Sequence, residues 1–308
     1  MAKFVIALGG NALQSGNETS YAEQLARADS VFRGLRSMIL ANEVVITHGN
    51  GPQVGEILLQ NEAAAGSVPS YPLDVCGSMS QGFIAQMLTT AIHNNLEGSV
   101  KQPVQVYTRT IVDASDPAFS NPTKFIGPSY DEETAISLKK EKGWELKKQN
   151  GRGWRRVVPS PVPVDILEWK AVDSLLGSGY LPICAGGGGT PMVMENNILR
   201  GVEAVIDKDL ASSLLANRIR SRTFIILTGV SNVYVDFREK SERAIGNTTK
   251  EELKSLYMEG KFESGSMAPK VKAAIDFIER GGEEAIITSL DNAESSVRSG
   301  TGTHIFRN

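Results

Sequence analysis

The chain has 308 residues, enough at about 150 per domain for two domains or one large α/β unit, and its 41% hydrophobic content is ordinary for a globular protein. Lysine and arginine number 32 against 35 aspartate and glutamate, a net charge of −3 that offers no broad attraction to nucleic acid or an anionic membrane surface. Two cysteines, Cys76 and Cys184, cannot form a disulfide framework, and no window reaches the ~20 apolar residues of a membrane span, so a secreted or membrane-embedded protein is excluded and a reduced, cytoplasmic one is expected.

Phe4–Leu8 reads as a buried strand running into Gly9-Gly10, too short for a signal-peptide core. Ser20-x-x-Glu23 is a capping-box signature, and Leu25, Ala28, Phe32, Leu35 and Ile39 follow at helical spacing. Val44–Thr47 is a second strand, and Leu73–Leu96 a helix. From 114 to 163 the rhythm breaks into Asp116-Pro117, Asn121-Pro122, Gly127-Pro128 and the run Pro159–Pro163. Within that insertion, Trp144–Gln149 and Trp154–Val158 flank Asn150-Gly151 as a hairpin would. Ile166–Leu176 and Asp207–Ile219 read as helices, Leu181–Ala185 and Phe224–Leu227 as strands. Val271, Ala274, Ile275 and Ile278 mark a last helix before the strand Ala285–Ile287. Apolar strands without alternation, separated by helices, predict an α/β fold whose mainly parallel sheet is covered on both faces.

Four of the strands end in glycine-bearing loops: Gly9-Gly10-Asn11, His48-Gly49-Asn50-Gly51, Gly186–Gly189 and Thr228-Gly229. A tight turn accounts for any one of them. Four together, where open α/β sheets bind ligands, point to an anion site suited to phosphate. No P-loop, dinucleotide fingerprint or protein-kinase motif set accompanies them. Lys208, between Asp207 and Asp209, and Lys270, after Pro269, open predicted helices, where a cation opposes the helix dipole unless an anion sits nearby. A shared phosphate fits both, with Asp207 and Asp209 holding the lysines or engaging nucleotide-borne Mg²⁺.

Other candidates weigh less. His48, His93 and His304 are too scattered for a metal motif, with His48 at most a hydrogen-bond donor beside its loop, and both cysteines read as small buried side chains. Between Lys139 and Arg156 eight basic residues face two acidic ones, with Trp144 and Trp154 interleaved. That pattern could stack nucleic-acid bases, but a solvated hairpin with tryptophans at its base is the preferred reading.

Taken together, several motifs resemble those of carbamate kinases, a branch of the amino acid kinase superfamily: Ala7–Leu13, Thr47–Gly55, Asn121-Pro122-Thr123-Lys124, Gly186–Gly189, Ala204–Asp209 and Gly265–Val271. The resemblance extends to Gly300–Thr303, and its most specific parts are His-Gly-Asn-Gly-Pro-Gln-Val-Gly and the Pro-Thr-Lys of the insertion. It implies a three-layer αβα sandwich. Residues 1–205 would bind carbamate or carbamoyl phosphate and include a protruding lid at 114–163; residues 206–308 would bind ATP or ADP. It also implies a homodimer, Mg²⁺ carried by the nucleotide, and the reaction ATP + carbamate ⇌ ADP + carbamoyl phosphate, run toward ATP in arginine breakdown. Nucleic acid and membrane are not expected partners.

Carried over residue by residue, the resemblance sets Lys124 and Lys208 along the transferring phosphoryl group, with Asp209 orienting Lys208 and Lys270 on the nucleotide phosphates. Gly9, Gly10, Asn11, Gly49, Asn50 and Gly51 would hold carbamate and the transferred group. Asp207, Thr228, Gly229, Val230, Tyr234, Met267 and Pro269 would complete the nucleotide site. Two positions depart from pattern. Ala7 stands where much of the superfamily has lysine, which nominates the lid's Lys124 as substitute, and Thr190 stands where a larger aliphatic is expected. Carbamate is already anionic, so no general base is needed; alignment and charge stabilisation suffice. The rivals are another acyl kinase, such as one acting on N-acetylglutamate, and a silent nucleotide-binding regulator, which should have lost some of the lysines.

Overall fold

The computed structural model describes residues 2–10, 13, 20–96, 98, 101–149, 151, 153–237, 239–263 and 266–307. Strands β1 (Lys3–Leu8) and β2 (Glu43–His48) are buried beyond their first residues. Between them helix α1 (Tyr21–Ala41) starts from Ser20, whose side chain and that of Glu23 cap each other's backbone reciprocally. Helices α2 (Gly51–Ala64) and α3 (Leu73–Asn95) follow, then β3 (Pro103–Gln105) and β4 (Arg109–Val112). The insertion supplies β5 (Lys124–Tyr130), α4 (Glu132–Lys142), β6 (Leu146–Gln149) and β7 (Gly153–Val158), and the chain returns through β8 (Pro163–Ile166). Next come α5 (Trp169–Gly177), β9 (Leu181–Cys184), β10 (Thr190–Glu195), β11 (Ile198–Gly201), α6 (Lys208–Arg218) and β12 (Thr223–Thr228). The last part holds β13 (Val233–Val235), β14 (Arg243–Ile245), β15 (Asn247–Thr249), α7 (Lys250–Met258), α8 (Met267–Glu279), β16 (Glu284–Ser289), α9 (Ala293–Ser299) and β17 (Thr303–Phe306).

Eight strands form the central sheet in the order β15-β17-β16-β12-β1-β2-β9-β3. Its pairs are parallel except β16 with β17. Strand periodicity sorts the apolar side chains onto two faces. Val5, Ala7, Val45, Phe224 and Ile226 pack with α5, α6 and α8, while Phe4, Ile6, Leu8, Val44 and Ile46 pack with α1 and α3. Both faces are therefore covered, and the strands read as unbroken apolar runs. No described helix is long and apolar enough to cross a membrane.

A second sheet, β11-β10-β4-β8, stands beside the first, and β5-β7-β6 form a third. The insertion leaves after β4 and returns into β8, which pair antiparallel, so it contributes nothing to the central sheet. Strands β6 and β7 make the expected hairpin; Asn150 of its turn lies outside the described residues. The expected helix from Ile166 begins only at Trp169, because Ile166 pairs with Thr110 as the end of β8. A short apolar run does not separate strand from helix by itself. Helix α2 went unpredicted because only Gln53, Val54 and Gly55 on it are buried, too few for a helical stripe.

Candidate active site

Strands β16, β12, β1, β2 and β9 are consecutive and parallel, so their carboxyl ends open on one side of the sheet. A chamber of about 540 Å³ lies there. It is lined by Gly9 and Gly10 after β1, Gly49–Pro52 after β2, Gly187 after β9, Thr228 and Gly229 after β12, and Ser289–Asp291 after β16. The insertion adds Lys124, Phe125 and Ile126; α6 adds Asp207–Asp209, and α8 adds Pro269 and Lys270. A second cavity of about 330 Å³ shares Thr228, Gly229 and Ser266 with it and is lined by Val230, Tyr234, Phe237, Glu263 and Met267. Two aromatic rings, Tyr234 and Phe237, 5.7 Å apart and tilted by 44°, and Met267 give this annex an apolar wall. The chamber and annex together take in every site residue expected from sequence except Asn11, which lies outside the described residues.

The chamber's charges are arranged on two carboxylates. Asp207 is the N-cap of α6, its Oδ1 accepting from the backbone N–H of Asp209 at 2.9 Å. Its other oxygen accepts from Lys124 Nζ of the insertion, also at 2.9 Å. Asp209 accepts from Lys208 on Oδ1 and from Lys270 Nζ on Oδ2, the latter at 2.9 Å. Asp209 therefore orients not only Lys208 but also Lys270, a lysine 61 residues away. Helix α8 starts at Met267, which puts Lys270 at the end of its first turn rather than at its opening. The cations that opposed two helix dipoles in the sequence are thus balanced before any ligand arrives.

Burial sets how these groups titrate. Asp209 is fully buried; desolvation disfavours its charge, but the two ammonium groups outweigh that and hold its carboxyl far below the ordinary range. For Lys208, burial and repulsion from Lys270 outweigh the pull of Asp209, and its pKa is lowered. For Lys270, Asp209 overcomes burial, and its pKa is raised. His48 is buried and pushed down to about 4 by desolvation, so it is neutral at physiological pH. Its Nδ1 lies 3.0 Å from the Gly49 carbonyl, and its Nε2 meets no partner among the described residues.

The glycine loops divide their work differently from the simple anion-cradle expectation. Gly9 and Gly49 line the chamber but spend their N–H groups on the Leu227 and Leu8 carbonyls, at 3.1 and 3.2 Å. What they give is close approach: a Cβ on Gly49 would come 3.3 Å from Lys208 Cδ, so the lysine's stem crosses the loop there. The N-terminus of α2, at Gly51 and Pro52, opens on the chamber and supplies helix-end polarity. In Gly186–Gly189 only Gly187 lines the chamber. It has φ +63°, and a Cβ there would strike Asn50 at 2.2 Å. Asn50 is itself fixed by donating Nδ2 to Ser80 Oγ at 2.7 Å. Thr190 is explained as well: its buried hydroxyl accepts from Gln81 Nε2 at 3.1 Å, a bond no aliphatic could make.

Part of the insertion's basic stretch is held against its own tryptophans. Arg156 and Lys142 lie 4.5 and 4.9 Å from the Trp144 ring, and Lys139 lies 5.1 Å from Trp154. Those tryptophans pack against cations of their own insertion. Cys76 and Cys184 are both buried, and His93 is exposed on the last turn of α3. Sequence reasoning missed Arg27, Phe125, Ile126 and Asp291 in the chamber and Phe237 and Glu263 in the annex. None of these sits in a glycine motif, and only the tertiary arrangement brings them to the site.

Three lysines converging on one buried and one partly buried carboxylate, over a parallel sheet and beside an annex lined by two aromatic rings, define an enzyme that handles phosphoryl groups. Comparison with known proteins narrows this. The model of the amino acid kinase family matches residues 2–289. The chain is 48% identical to the carbamate kinase of Thermococcus kodakarensis over the whole of both chains, and 48% identical to that of Pyrococcus furiosus over 99% of each. It superposes on the carbamate kinase of Giardia lamblia bound to AMP-PNP with a TM-score of 0.93 at 42% identity, covering 100% of this chain and 99% of that one. The chain belongs to the amino acid kinase family and, within it, to the carbamate kinases.

Proposed function

We propose that this chain transfers a phosphoryl group reversibly between ATP and carbamate, giving ADP and carbamoyl phosphate. The observation that carries the mechanism is the pairing of Lys208 and Lys270 on one buried carboxylate, with Lys124 of the lid on the neighbouring one. Adenosine occupies the annex between Tyr234 and Met267, near Val230, and its phosphates run past Thr228, Gly229 and Pro269 to Lys270. Carbamate lies against Gly10, Asn50 and Gly51. Its oxygen attacks the γ-phosphorus in line, and because carbamate is already anionic no residue must remove a proton. The transition state is loose, with charge on the equatorial oxygens. Lys208 and Lys124 meet that charge from α6 and the lid, and their carboxylate partners hold them in place beforehand, so little reorganisation accompanies reaction. Mg²⁺ carried by the nucleotide would neutralise charge on its phosphate oxygens, and the carboxylate of Asp207, which lines the chamber, would receive it.

On this reading residues 1–205 serve the carbamate side, including the lid at 114–163, and residues 206–308 the nucleotide side. The same reading includes a cytoplasmic homodimer that runs toward ATP in arginine breakdown, as the family resemblance implies.

The test is ATP formation from ADP, Mg²⁺ and carbamoyl phosphate, with Lys208→Ala in parallel. Rapid ATP formation by the native chain, a kcat lower by orders of magnitude in the variant and ADP binding retained are expected. Folded, ADP-binding protein that makes no ATP but phosphorylates N-acetylglutamate would replace carbamate with a larger acyl acceptor.

A further inference from the structure

Arg27 is the only arginine among the described residues lining the chamber, and the anion motifs do not account for it. It lies on the second turn of α1, with Gln24, Ala28 and Val31 buried on the same stripe of the helix. Gln53 of α2 donates Nε2 to Gln24 Oε1 at 2.9 Å in a buried amide pair. That bond fastens the start of α1 to the first turn of α2, directly beside Gly51 and Pro52. Helical side chains lean toward the helix N-terminus, and α1 starts on the side of the sheet where β1 and β2 end. Arg27, half-buried, thus faces the glycine-loop part of the chamber from a clamped backbone.

Charge explains why a guanidinium there has work to do. Lys124, Lys208 and Lys270 are tied to Asp207 and Asp209, and the Lys208 stem passes Gly49 on its way to Asp209. At the glycine-loop side the chamber wall is Gly9, Gly10 and Gly49–Pro52, all uncharged. A small acceptor that carries a carboxylate-type charge, and leaves as an acyl phosphate with more, needs a cation at that end. A planar fork of N–H donors suits carboxylate and phosphate oxygens better than an ammonium does.

We propose that Arg27 binds and orients the acceptor, contacting carbamate or the oxygens of carbamoyl phosphate from α1. This rests on the proposed function and assigns a further binding residue within it. The test uses Arg27→Gln and Arg27→Lys in the full chain, with carbamoyl phosphate and ADP varied separately and thermal melts checking the fold. For Arg27→Gln the KM for carbamoyl phosphate should rise at least about tenfold, the loss typical of one charge-assisted hydrogen bond, while the KM for ADP stays within about twofold. Arg27→Lys should fall between the variant and the native protein.

A second arm measures the rise in melting temperature given by carbamoyl phosphate without nucleotide; Arg27→Gln should abolish most of it. An unchanged KM for carbamoyl phosphate, or an equal rise in both KM values, overturns the assignment. If the native chain makes no ATP, the carbamate reading fails on its own. The melting arm then decides Arg27: protection by carbamoyl phosphate lost in Arg27→Gln keeps it as an anion contact, and equal or absent protection overturns it.

Discussion

Asp209→Asn removes one charge and almost no volume, and it strikes the point where two lysines meet. The Lys270–Asp209 pair at 2.9 Å is worth about 6 kcal/mol of Coulomb attraction at an effective dielectric of about 20. The Lys208–Asp209 pair is comparable. Desolvation offsets most of this, and removing one partner of a buried pair typically costs about 3–5 kcal/mol, because the other charge stays behind unpaired. Here two cations are left, repelling one another. The variant should therefore melt roughly 6–10 °C lower at neutral pH, at about 2 °C per kcal/mol for a chain of this size. Because the Asp209 carboxyl is depressed in the fold, its stabilisation is present above the ordinary carboxylate range and is lost as pH falls through and below about 4. The native and variant melting curves should converge toward acid pH.

Activity carries a second signature of the same change. Lys208 is already lowered by burial, and without Asp209 it should lose its proton at still lower pH. The fall of kcat on the alkaline side should move toward neutrality, with kcat at pH 7 down about 10²–10³-fold, the scale for losing a preorganised donor. Differential scanning fluorimetry from pH 2 to 9 and a pH–rate profile of ATP formation measure both effects. A variant with native melting temperature and an unmoved alkaline limb would refute the claim that Asp209 organises the two lysines.

Three further outcomes are expected. Lys124→Ala should cost about 10²–10³-fold in kcat yet under about 1 kcal/mol in stability, because Lys124 is 37% exposed in its pair with Asp207; a melting loss like that of Asp209→Asn would contradict this. Gly49→Ala should keep the fold and the KM for ADP but lower kcat about tenfold, since its Cβ, 3.3 Å from Lys208 Cδ, must push that stem aside by a few tenths of an ångström; unaltered kcat would show that the lysine does not depend on the loop. His304 is raised chiefly by the hydrogen bond its Nδ1 donates to Glu284 Oε1 at 2.8 Å. A raised folded pKa stabilises fully below the ordinary value of about 6.5 and is lost as pH rises through the folded one, so the melting advantage of native protein over Glu284→Gln should be largest near pH 6 and shrink toward pH 9.

Local chemistry made much of this protein readable from its sequence. Continuous apolar runs such as Phe4–Leu8 and Phe224–Leu227 specified buried parallel strands, since only strands covered on both faces lack alternation. Ser20-x-x-Glu23 specified a helix start, and glycines at strand ends, with Lys208 and Lys270 against helix dipoles, marked where anions belong. These signals are legible because each is a relation between neighbours in the chain. Which carboxylate holds which lysine is not such a relation. Lys270 reaches Asp209 across 61 residues and Lys124 reaches Asp207 across 83, and only packing of α6, α8 and the insertion over the carboxyl ends of the strands brings them within bonding distance. The same holds for Gly187, a glycine because Asn50 occupies the space of its Cβ, and for Arg27, carried into the chamber by a helix whose own pattern shows only a buried stripe. Sequence fixes backbone preferences and charge locally; the distances that turn those charges into a site arise from long-range burial, which a linear pattern does not encode pair by pair.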